Sequence, residues 1–362
     1  MAPSRPRQPP ELIAEIVEEI LLRLPPDVPA CLARAALVCK TWRRLLSDPA
    51  FRRRYRAFHR TAPPMLGFLH DQYATGPCFV PTVTPSPFPQ RALDPDDCRG
   101  WCALDCRHGR ALFDTASCPG AKLLVWDPIT GGRRRLPEAP VQLGAYNAAV
   151  LCAVRGCDHL DCSCGPFLVV LVGYNNGLQV HCYSSEAGAW NASADLGPNQ
   201  YYLAHRKNSV LIGDNLYFVL VPNDTILKYN LDKNCLSITH PPEEHDSASH
   251  GGSALMPMED GSLGFAGVLC SKLCLWSRNA YPDAGWVRSR VIHLQTLIPF
   301  RCVSVVGSAE GFGIVFMYTN AGVFTIELKS GQVRKVGERP LQCCNIFPFM
   351  SFCTPGIVLA LY

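Results

Sequence analysis

Five pairs of short apolar runs recur at a nearly constant interval after Trp101. The second run of each pair carries one aromatic or aliphatic residue at an equivalent position: Trp126, Tyr183, Tyr229, Trp276 and Ile326. Successive steps between these positions are 57, 46, 47 and 50 residues, close to the roughly 40 to 50 residues of a four-stranded propeller blade. The pattern predicts an all-β propeller, and a β-sandwich with coincidental spacing is the alternative.

Five units do not complete the ring that a propeller requires. Two further strand-like runs lie outside them: PMLGFLH at residues 64–70 and GIVLALY at residues 356–362. We predict that these two runs pair in a sixth blade built from both ends of the propeller, because a closed ring leaves only short, protected sheet edges. The proline-rich residues 76–97 are predicted to form an irregular loop.

Residues 9–58 have a different, helical pattern. Apolar residues recur every three or four positions while charged residues lie on or near the opposite face, which predicts amphipathic helices. Proline stops at Pro25-Pro26 and Asp48-Pro49 divide the stretch into three helices, the second one running from Pro29 to Asp48. The pattern alone is compatible with a small helical subdomain packed on the main body.

The helical stretch also resembles a known module. LLRLPP followed by LARAALVCKTWRRLLSDPAFRRRYRAFH closely resembles the F-box, which docks on a Skp-type adaptor in cullin-RING ubiquitin ligases. The F-box usually opens with a Leu-Pro dipeptide where this chain has Leu12-Ile13, so the first helix is expected to begin earlier, near Pro10. The resemblance implies these adaptor-binding positions, some of which form the module's own core: Leu12, Ile13, Ile16, Ile20, Leu21, Leu24, Pro25, Leu32, Val38, Cys39 and Trp42.

The strand repeats carry a second resemblance. NLYFVL before TILKYNL, GSLGFAGV before LCLW, and the closing PFMSFCTPG are similar to the F-box-associated, kelch-like propeller regions of plant F-box proteins. Together the two resemblances imply an α+β multidomain chain: a flexible tail at residues 1–8, an all-α F-box at 9–60 and a propeller, expected to have six blades, at 61–362.

This architecture implies a non-catalytic substrate receptor of an SCF-type ubiquitin ligase. The F-box would bind the Skp-type adaptor and, through it, cullin and RING subunits, while the propeller would bind a target protein. One alternative is a propeller enzyme or small-molecule-binding protein with a helical docking module. Another is an F-box protein that acts in a smaller complex without ubiquitin transfer.

The composition and the lengths of the apolar runs limit the cellular compartment and the kinds of partner that we expect. The chain has 362 residues and a net charge of +4, which gives no strong reason to expect nucleic acid or an anionic membrane as partner. The beginning MAPSRPRQPP has no apolar segment of a secretory signal, and no apolar run is long enough to span a bilayer. We therefore expect a cytoplasmic or nuclear protein whose 19 cysteines are mostly reduced.

Two stretches contain residues with metal-binding chemistry. Cys152, Cys157, His159, Cys162 and Cys164 offer thiolates and an imidazole, but they crowd one loop, whereas structural zinc sites usually pair two separate knuckles. Residues 239–250 gather three histidines and three carboxylates without HExxH spacing, as in a solvated loop. Nucleophile-elbow, P-loop and Rossmann motifs are also missing, so we predict no metal, no cofactor and no catalytic residue.

Overall fold

Helices occupy the first part of the chain and β-sheets the remainder. The computed structural model describes residues 13–25, 29–59, 65–72, 76–82, 98–115, 121–128, 131–139, 145–157, 159, 162, 165–197, 203–204, 206–245, 252–278, 285–311, 313–338 and 345–350. Within these ranges, no helix has the length and apolar character needed to cross a membrane.

The described part of the helical domain forms four helices: α1 (Ala14–Leu22), α2 (Pro29–Val38), α3 (Lys40–Ser47) and α4 (Pro49–His59). The prediction of a single second helix was wrong because the chain breaks at Cys39. This residue is extended, with φ −159° and ψ 167°, and its Sγ accepts a hydrogen bond from the Trp42 N–H at 3.4 Å. The sulfur thereby caps α3, whose first amides lack helical partners.

The start of α1 also differs from the expectation. Ile13 is extended, with φ −64° and ψ 149°, so the helix begins at Ala14 and not near Pro10. Pro10 itself lies outside the described residues. Two polar side chains of α4 secure the other end of α1: the Tyr55 hydroxyl donates to the Leu24 carbonyl, and His59 Nε2 contacts the Leu22 carbonyl, each at 2.7 Å. These contacts satisfy carbonyls that a helix C-terminus leaves open.

The strands of the described residues form six sheets. Blade 1 contains β3 (Cys102–Arg107), β4 (Arg110–Asp114), β5 (Leu123–Trp126) and β6 (Arg133–Arg135); blade 2 contains β7 (Tyr146–Cys152), β8 (Phe167–Tyr174), β9 (Leu178–Ser184) and β10 (Ala189–Asp195); blade 3 contains β11 (Leu203–Ala204), β12 (Val210–Ile212), β13 (Asn215–Val221), β14 (Thr225–Asn230) and β15 (Cys235–Thr239). Blade 4 contains β16 (Ser253–Pro257), β17 (Leu263–Leu269), β18 (Lys272–Arg278) and β19 (Trp286–His293), and blade 5 contains β20 (Val303–Ala309), β21 (Ile314–Thr319), β22 (Gly322–Glu327) and β23 (Val333–Gly337).

The repeat seen in the sequence corresponds to the second-to-last strand of each of blades 1 to 5. The five equivalent residues lie on β5, β9, β14, β18 and β22, and all five are buried: Trp126, Tyr183, Tyr229, Trp276 and Ile326. Each of them packs in the apolar layer between neighbouring sheets. The periodicity therefore arises from one structural position repeated around the ring.

The sixth sheet, the closing blade, combines both ends of the propeller. It contains β1 (Met65–Gln72), β2 (Gly76–Pro81) and β24 (Ile346–Met350) in the order β2-β1-β24. Closure from both ends is confirmed, but the predicted partner was wrong: β1 pairs with β24, and β2 occupies its other edge. No edge of β1 is left for residues 356–362, which lie outside the described residues, as does Pro64.

The closing blade also corrects the prediction of a loop for residues 76–81, while residues 83–97 of that predicted loop lie outside the described residues. Residues 76–81 are a strand, because β2 is the edge strand, where proline is tolerated; Pro77 and Pro81 lie opposite Asp71 and Gly67. The ring then runs in chain order. Neighbouring blades meet through their inner strands, from β24 to β3 and β7, then through β11 and β12 to β16, β20 and back to β24.

Candidate functional site

An exposed apolar stripe runs along α1. Ile13, Ile16 and Ile20 are 60%, 46% and 42% exposed, and their spacing of three and four residues places them on one side of the helix. Val17 and Leu21 on the other side are buried in the core of the helical domain. A helix whose buried face is already satisfied rarely exposes a second apolar face unless that face meets a partner.

The C-terminal end of α2 exposes more apolar surface. Leu37 and Val38 are 60% and 63% exposed, and Cys39 is exposed beside them. Sequence reasoning selected Val38 and Cys39 but missed Leu37. It placed all of Pro29 to Asp48 on one helix, whose buried face was assigned from Leu32, Ala35 and Cys39; the break at Cys39 was the missing signal.

The remaining predicted adaptor-binding residues separate into core and surface. Leu21 is fully buried, while Leu24, Leu32 and Trp42 are partly buried against the same core. Pro25 is exposed, and Leu12 lies outside the described residues. Four of the eleven positions thus lie in the core of the helical domain, and six are exposed on its surface.

In the propeller, residues 206–209 interrupt the inner edge of blade 3 between β11 and β12 and contact several other blades. We call residues 206–209 the channel segment. Arg206 Nη2 donates to Asp114 Oδ2 of blade 1 at 2.8 Å, and Asn147 Nδ2 of blade 2 donates to the Lys207 carbonyl at 2.7 Å. Asn208 Nδ2 donates to the Ile346 carbonyl of the closing blade at 2.8 Å. The segment therefore cross-links blades at the ring's centre.

Lys207 adds a buried polar cluster on the side of blade 4. Its Nζ donates to Asp224 Oδ1 at 2.9 Å and to Ser253 Oγ at 2.7 Å, while Asp224 Oδ2 lies 2.9 Å from His245 Nε2. These hydrogen bonds outweigh burial and hold the pKa of Asp224 below its usual range. His245 was expected in a solvated loop, but its side chain is buried edge-on to Phe265.

A buried charged group lies beside the channel segment. Arg107 donates to Asp105 Oδ2 at 3.2 Å and to Glu310 Oε1 at 2.8 Å. Burial alone would lower the pKa of Arg107, but the two carboxylates outweigh it and raise that pKa. Burial raises the pKa of Asp105 to about 6, although Arg107 opposes this effect. The group is therefore an ion pair at neutral pH.

This group borders a cavity of about 210 Å³ at one mouth of the ring. Its lining includes residues 105–109, 347–350, Ser209, Glu310 and Arg56 of α4. His108 is neutral there: burial, assisted by Arg107 and His159, lowers its pKa to about 2, and its Nδ1 accepts a hydrogen bond from the Cys152 N–H at 3.1 Å. The described lining includes Cys106, Ser209 and Ser308 beside Asp105, His108 and Glu310. The Ser209 hydroxyl accepts a hydrogen bond from Arg107, and the Ser308 hydroxyl donates one to the Leu255 carbonyl.

The cysteine-rich loop of blade 2 folds back on itself and brings candidate metal ligands together, although the sequence pattern predicted no metal there. One ligand atom from each of Cys152, Cys157, His159 and Cys162 lies within 4.8 Å of all the others. Cys164 lies outside the described residues. Among the described residues of the propeller, these four side chains form the one cluster of histidine, cysteine or carboxylate groups that lie close enough together to hold a metal ion.

The four helices and the six-sheet ring define a protein of the F-box and β-propeller class. A family model described as "F-box protein AT5G49610-like, beta-propeller" matches residues 102–356, and an F-box-like model matches residues 9–57. The chain belongs to this family of F-box proteins with a C-terminal propeller. F-box domains generally bind Skp-type adaptors.

Comparison with curated proteins gave no match. Among solved structures, a chain of a nidogen/laminin complex is similar over 79% of this chain and 99% of its own, with 12% identity and a TM-score of 0.48. The SapL1 lectin in complex with α-methyl fucoside covers 67% of this chain and 81% of its own, with 15% identity and a TM-score of 0.39. An oligogalacturonate lyase in complex with manganese covers 76% and 85%, with 10% identity and a TM-score of 0.36.

Proposed function

We propose that this protein is the substrate-receptor subunit of an SCF-type cullin-RING ubiquitin ligase. The helical domain binds a Skp-type adaptor, and through it cullin and RING subunits, and the propeller binds a target protein. The receptor itself catalyses nothing. It raises the effective concentration of target lysines near the ubiquitin-charged conjugating enzyme, which makes the transfer nearly intramolecular. This role assigns it to the cytoplasm, the nucleus or both.

The observation that carries the proposal is the exposed stripe on α1. Ile13, Ile16 and Ile20 leave apolar surface in water although the core of the helical domain is complete without them. Full burial of one such side chain contributes roughly 1.5 to 3 kcal/mol. An adaptor with a complementary apolar groove would therefore gain several kcal/mol from this helix without any rearrangement of the domain core.

The test replaces surface residues only. We expect the double variant Ile16→Asp, Ile20→Asp to lose co-purification with a Skp-type adaptor, because buried unpaired carboxylates are strongly unfavourable. The matched control is Val287→Asp, Val291→Asp on β19 of blade 4, which also changes two exposed apolar residues four positions apart. The control variant should bind the adaptor like the wild type.

Two further results would refute parts of the proposal. Adaptor binding by the α1 double variant at wild-type affinity would refute the proposed interface. If the adaptor binds but cullin never joins the complex assembled from purified subunits, the protein acts in a smaller complex and the ligase role is wrong. Comparing proteins captured by the wild type and by the α1 variant, with mass spectrometry, then separates targets of the propeller from ligase subunits.

A further inference from the structure

We propose that Cys152, Cys157, His159 and Cys162 bind one zinc ion, which fixes the loop between β7 and β8 against the turn between β3 and β4. The site is structural, and the proposal is independent of the ligase role. It assigns a metal to blade 2, where the sequence pattern predicted none.

The distances fit a tetrahedral ion. All four ligand atoms lie within 4.8 Å of one another, and Cys162 Sγ lies 3.6 Å from His159 Nδ1. Zinc–sulfur bonds of about 2.3 Å in a tetrahedron place the sulfur atoms about 3.8 Å apart. The ligand atoms therefore need to approach by only about 1 Å to enclose the ion, a movement within reach of cysteine rotamers.

The donor set selects the metal. Three thiolates and one imidazole are a common ligand set of structural zinc sites, whereas magnesium and calcium prefer oxygen. Four protein ligands fill the tetrahedron and leave no open position for a water or substrate. The spacing C-x4-C-x-H-x2-C over residues 152–162 is compact, so the loop wraps around the ion instead of joining two distant knuckles.

The surroundings already hold the ligands in place. The His159 N–H donates to Cys157 Sγ at 3.4 Å, which ties two of the proposed ligands to each other. The His159 ring stacks on His108 of the neighbouring blade, with centroids 3.7 Å apart and planes 10° from parallel. Such contacts outside the ligand set orient metal ligands.

Charge is balanced as well. A zinc ion with three thiolates and a neutral imidazole carries a net charge of about −1. The buried Arg110 supplies a positive charge: its Nη2 donates to the carbonyls of Cys162 and of Gly165, the latter at 2.7 Å. The same side chain anchors the return of the loop toward β8.

The loop is long for a hairpin and has little apolar packing. Residues 153–166 join two directly paired strands, since Cys152 lies opposite Phe167. Hairpins usually have loops of about 2 to 5 residues. Among the described residues of this loop, only Cys162 is buried, so apolar packing contributes little to its order. Metal binding would supply folding free energy that packing does not.

A disulfide is the competing use of these thiols. Three cysteines meet here, so one disulfide would leave a thiol unpaired beside His159, whereas a zinc ion uses all three and the imidazole. The three residues are free thiols in the structure. The test below separates the two uses.

Metal content of the purified full-length protein, measured by mass spectrometry after desalting, should be one zinc per chain. Cys157→Ser and Cys162→Ser should lose the metal, and Cys270→Ser, an exposed cysteine of blade 4, should keep it. His159→Cys should also keep it, because a set of four thiolates still binds zinc. Cobalt replacing zinc in the wild type should give thiolate charge-transfer and tetrahedral ligand-field bands.

Chelation provides a second readout, which is measured first on the wild-type protein. A strong chelator should lower the melting temperature of the wild type and leave that of Cys157→Ser unchanged. Folded wild-type protein that contains no zinc and takes up neither zinc nor cobalt would overturn the proposal. A disulfide between any two of Cys152, Cys157 and Cys162 in protein purified under reducing conditions would overturn it equally.

Discussion

Arg107 of blade 1 donates two hydrogen bonds to Ser209 of blade 3, through Nη1 to Oγ at 3.1 Å and through Nη2 to the carbonyl oxygen at 2.8 Å. These bonds join two blades that are not neighbours in the ring. Arg107 also pairs with Asp105 and Glu310. One buried side chain thus connects the channel segment to blades 1 and 5.

Removing Arg107 should destabilise the propeller strongly. In Arg107→Leu the buried Asp105 loses its cation, and breaking a buried ion pair costs about 3 to 5 kcal/mol. Ser209→Ala should cost only about 1 kcal/mol, because the bond to the carbonyl remains. Thermal melting measures both. Arg155→Leu, which breaks the exposed pair with Asp232, is the control and should cost less than about 1 kcal/mol.

Ionisation of Asp71 should lower the stability of the folded protein as the pH rises. Burial raises its pKa from 3.8 to about 6, with the Ala103 N–H and Arg206 opposing the shift. The folded state therefore keeps a proton that the unfolded chain releases, and its contribution to stability, present below pH 3.8, is lost as pH rises through about 6.

In the wild type the Ala103 N–H donates to Asp71 Oδ1 at 2.8 Å. The variant Asp71→Asn keeps an oxygen acceptor for this N–H but has no ionisable group. The free energy of unfolding of the variant minus that of the wild type should grow between pH 4 and pH 7, by at most about 2 kcal/mol after solvent screening. Urea denaturation across this range measures it. A difference independent of pH would show that Asp71 ionises normally.

Gly307 on β20 allows blade 5 to approach the closing blade. A Cβ atom at this position would lie 2.6 Å from the Ile346 carbonyl oxygen, which accepts the hydrogen bond from Asn208. Gly307→Ala should therefore displace that carbonyl and cost about 1 to 3 kcal/mol. Gly285→Ala, where a Cβ meets no atom within 4 Å, should be nearly neutral. Equal melting temperatures of the two variants would contradict the close approach.

Substitutions of Leu21 and Ile16 should both weaken adaptor binding, but only the substitution of Leu21 should also lower the stability of the helical domain. Leu21→Ala empties a fully buried position and should cost about 2 to 5 kcal/mol, so that it loses the adaptor by unfolding the helical domain. Ile16→Ala, at a half-exposed position, should leave stability within about 1 kcal/mol and weaken binding directly. Hydrogen exchange of residues 14–59 separates the effects: faster exchange in Ile16→Ala would place that residue in the core.

The blades were predictable from sequence because each repeats one local pattern. Trp126, Tyr183 and Trp276 recur because the second-to-last strand of each of these blades places a large apolar residue between neighbouring sheets. The strand that pairs with β1 in the closing blade was not predictable from the sequence. Both IFPFM and GIVLALY have strand character, and only long-range pairing distinguishes them. The F-box was recognisable as a module, yet exposure within it depends on the break at Cys39, which a local sulfur cap produces.

The channel segment and the cysteine cluster were beyond pattern reasoning for another reason. Arg206, Lys207 and Asn208 are ordinary polar residues in the sequence, and their partners come from four different blades. Similarly, nothing in the spacing of Cys152 to Cys162 shows how tightly the loop turns. Periodicity records where residues lie along an element, whereas these sites depend on how loops cross between elements.

The closing blade combines strands from both ends of the propeller sequence, and this has a consequence for biosynthesis. Phe68 pairs with Pro348, so during translation β1 emerges early and waits for nearly the whole propeller to be made. The contacts among α1 to α4 are local, and such contacts form quickly. The helical domain is therefore folded while β1 still presents one unpaired edge with Phe68 and Leu69. That interval is when nascent chains depend most on chaperones.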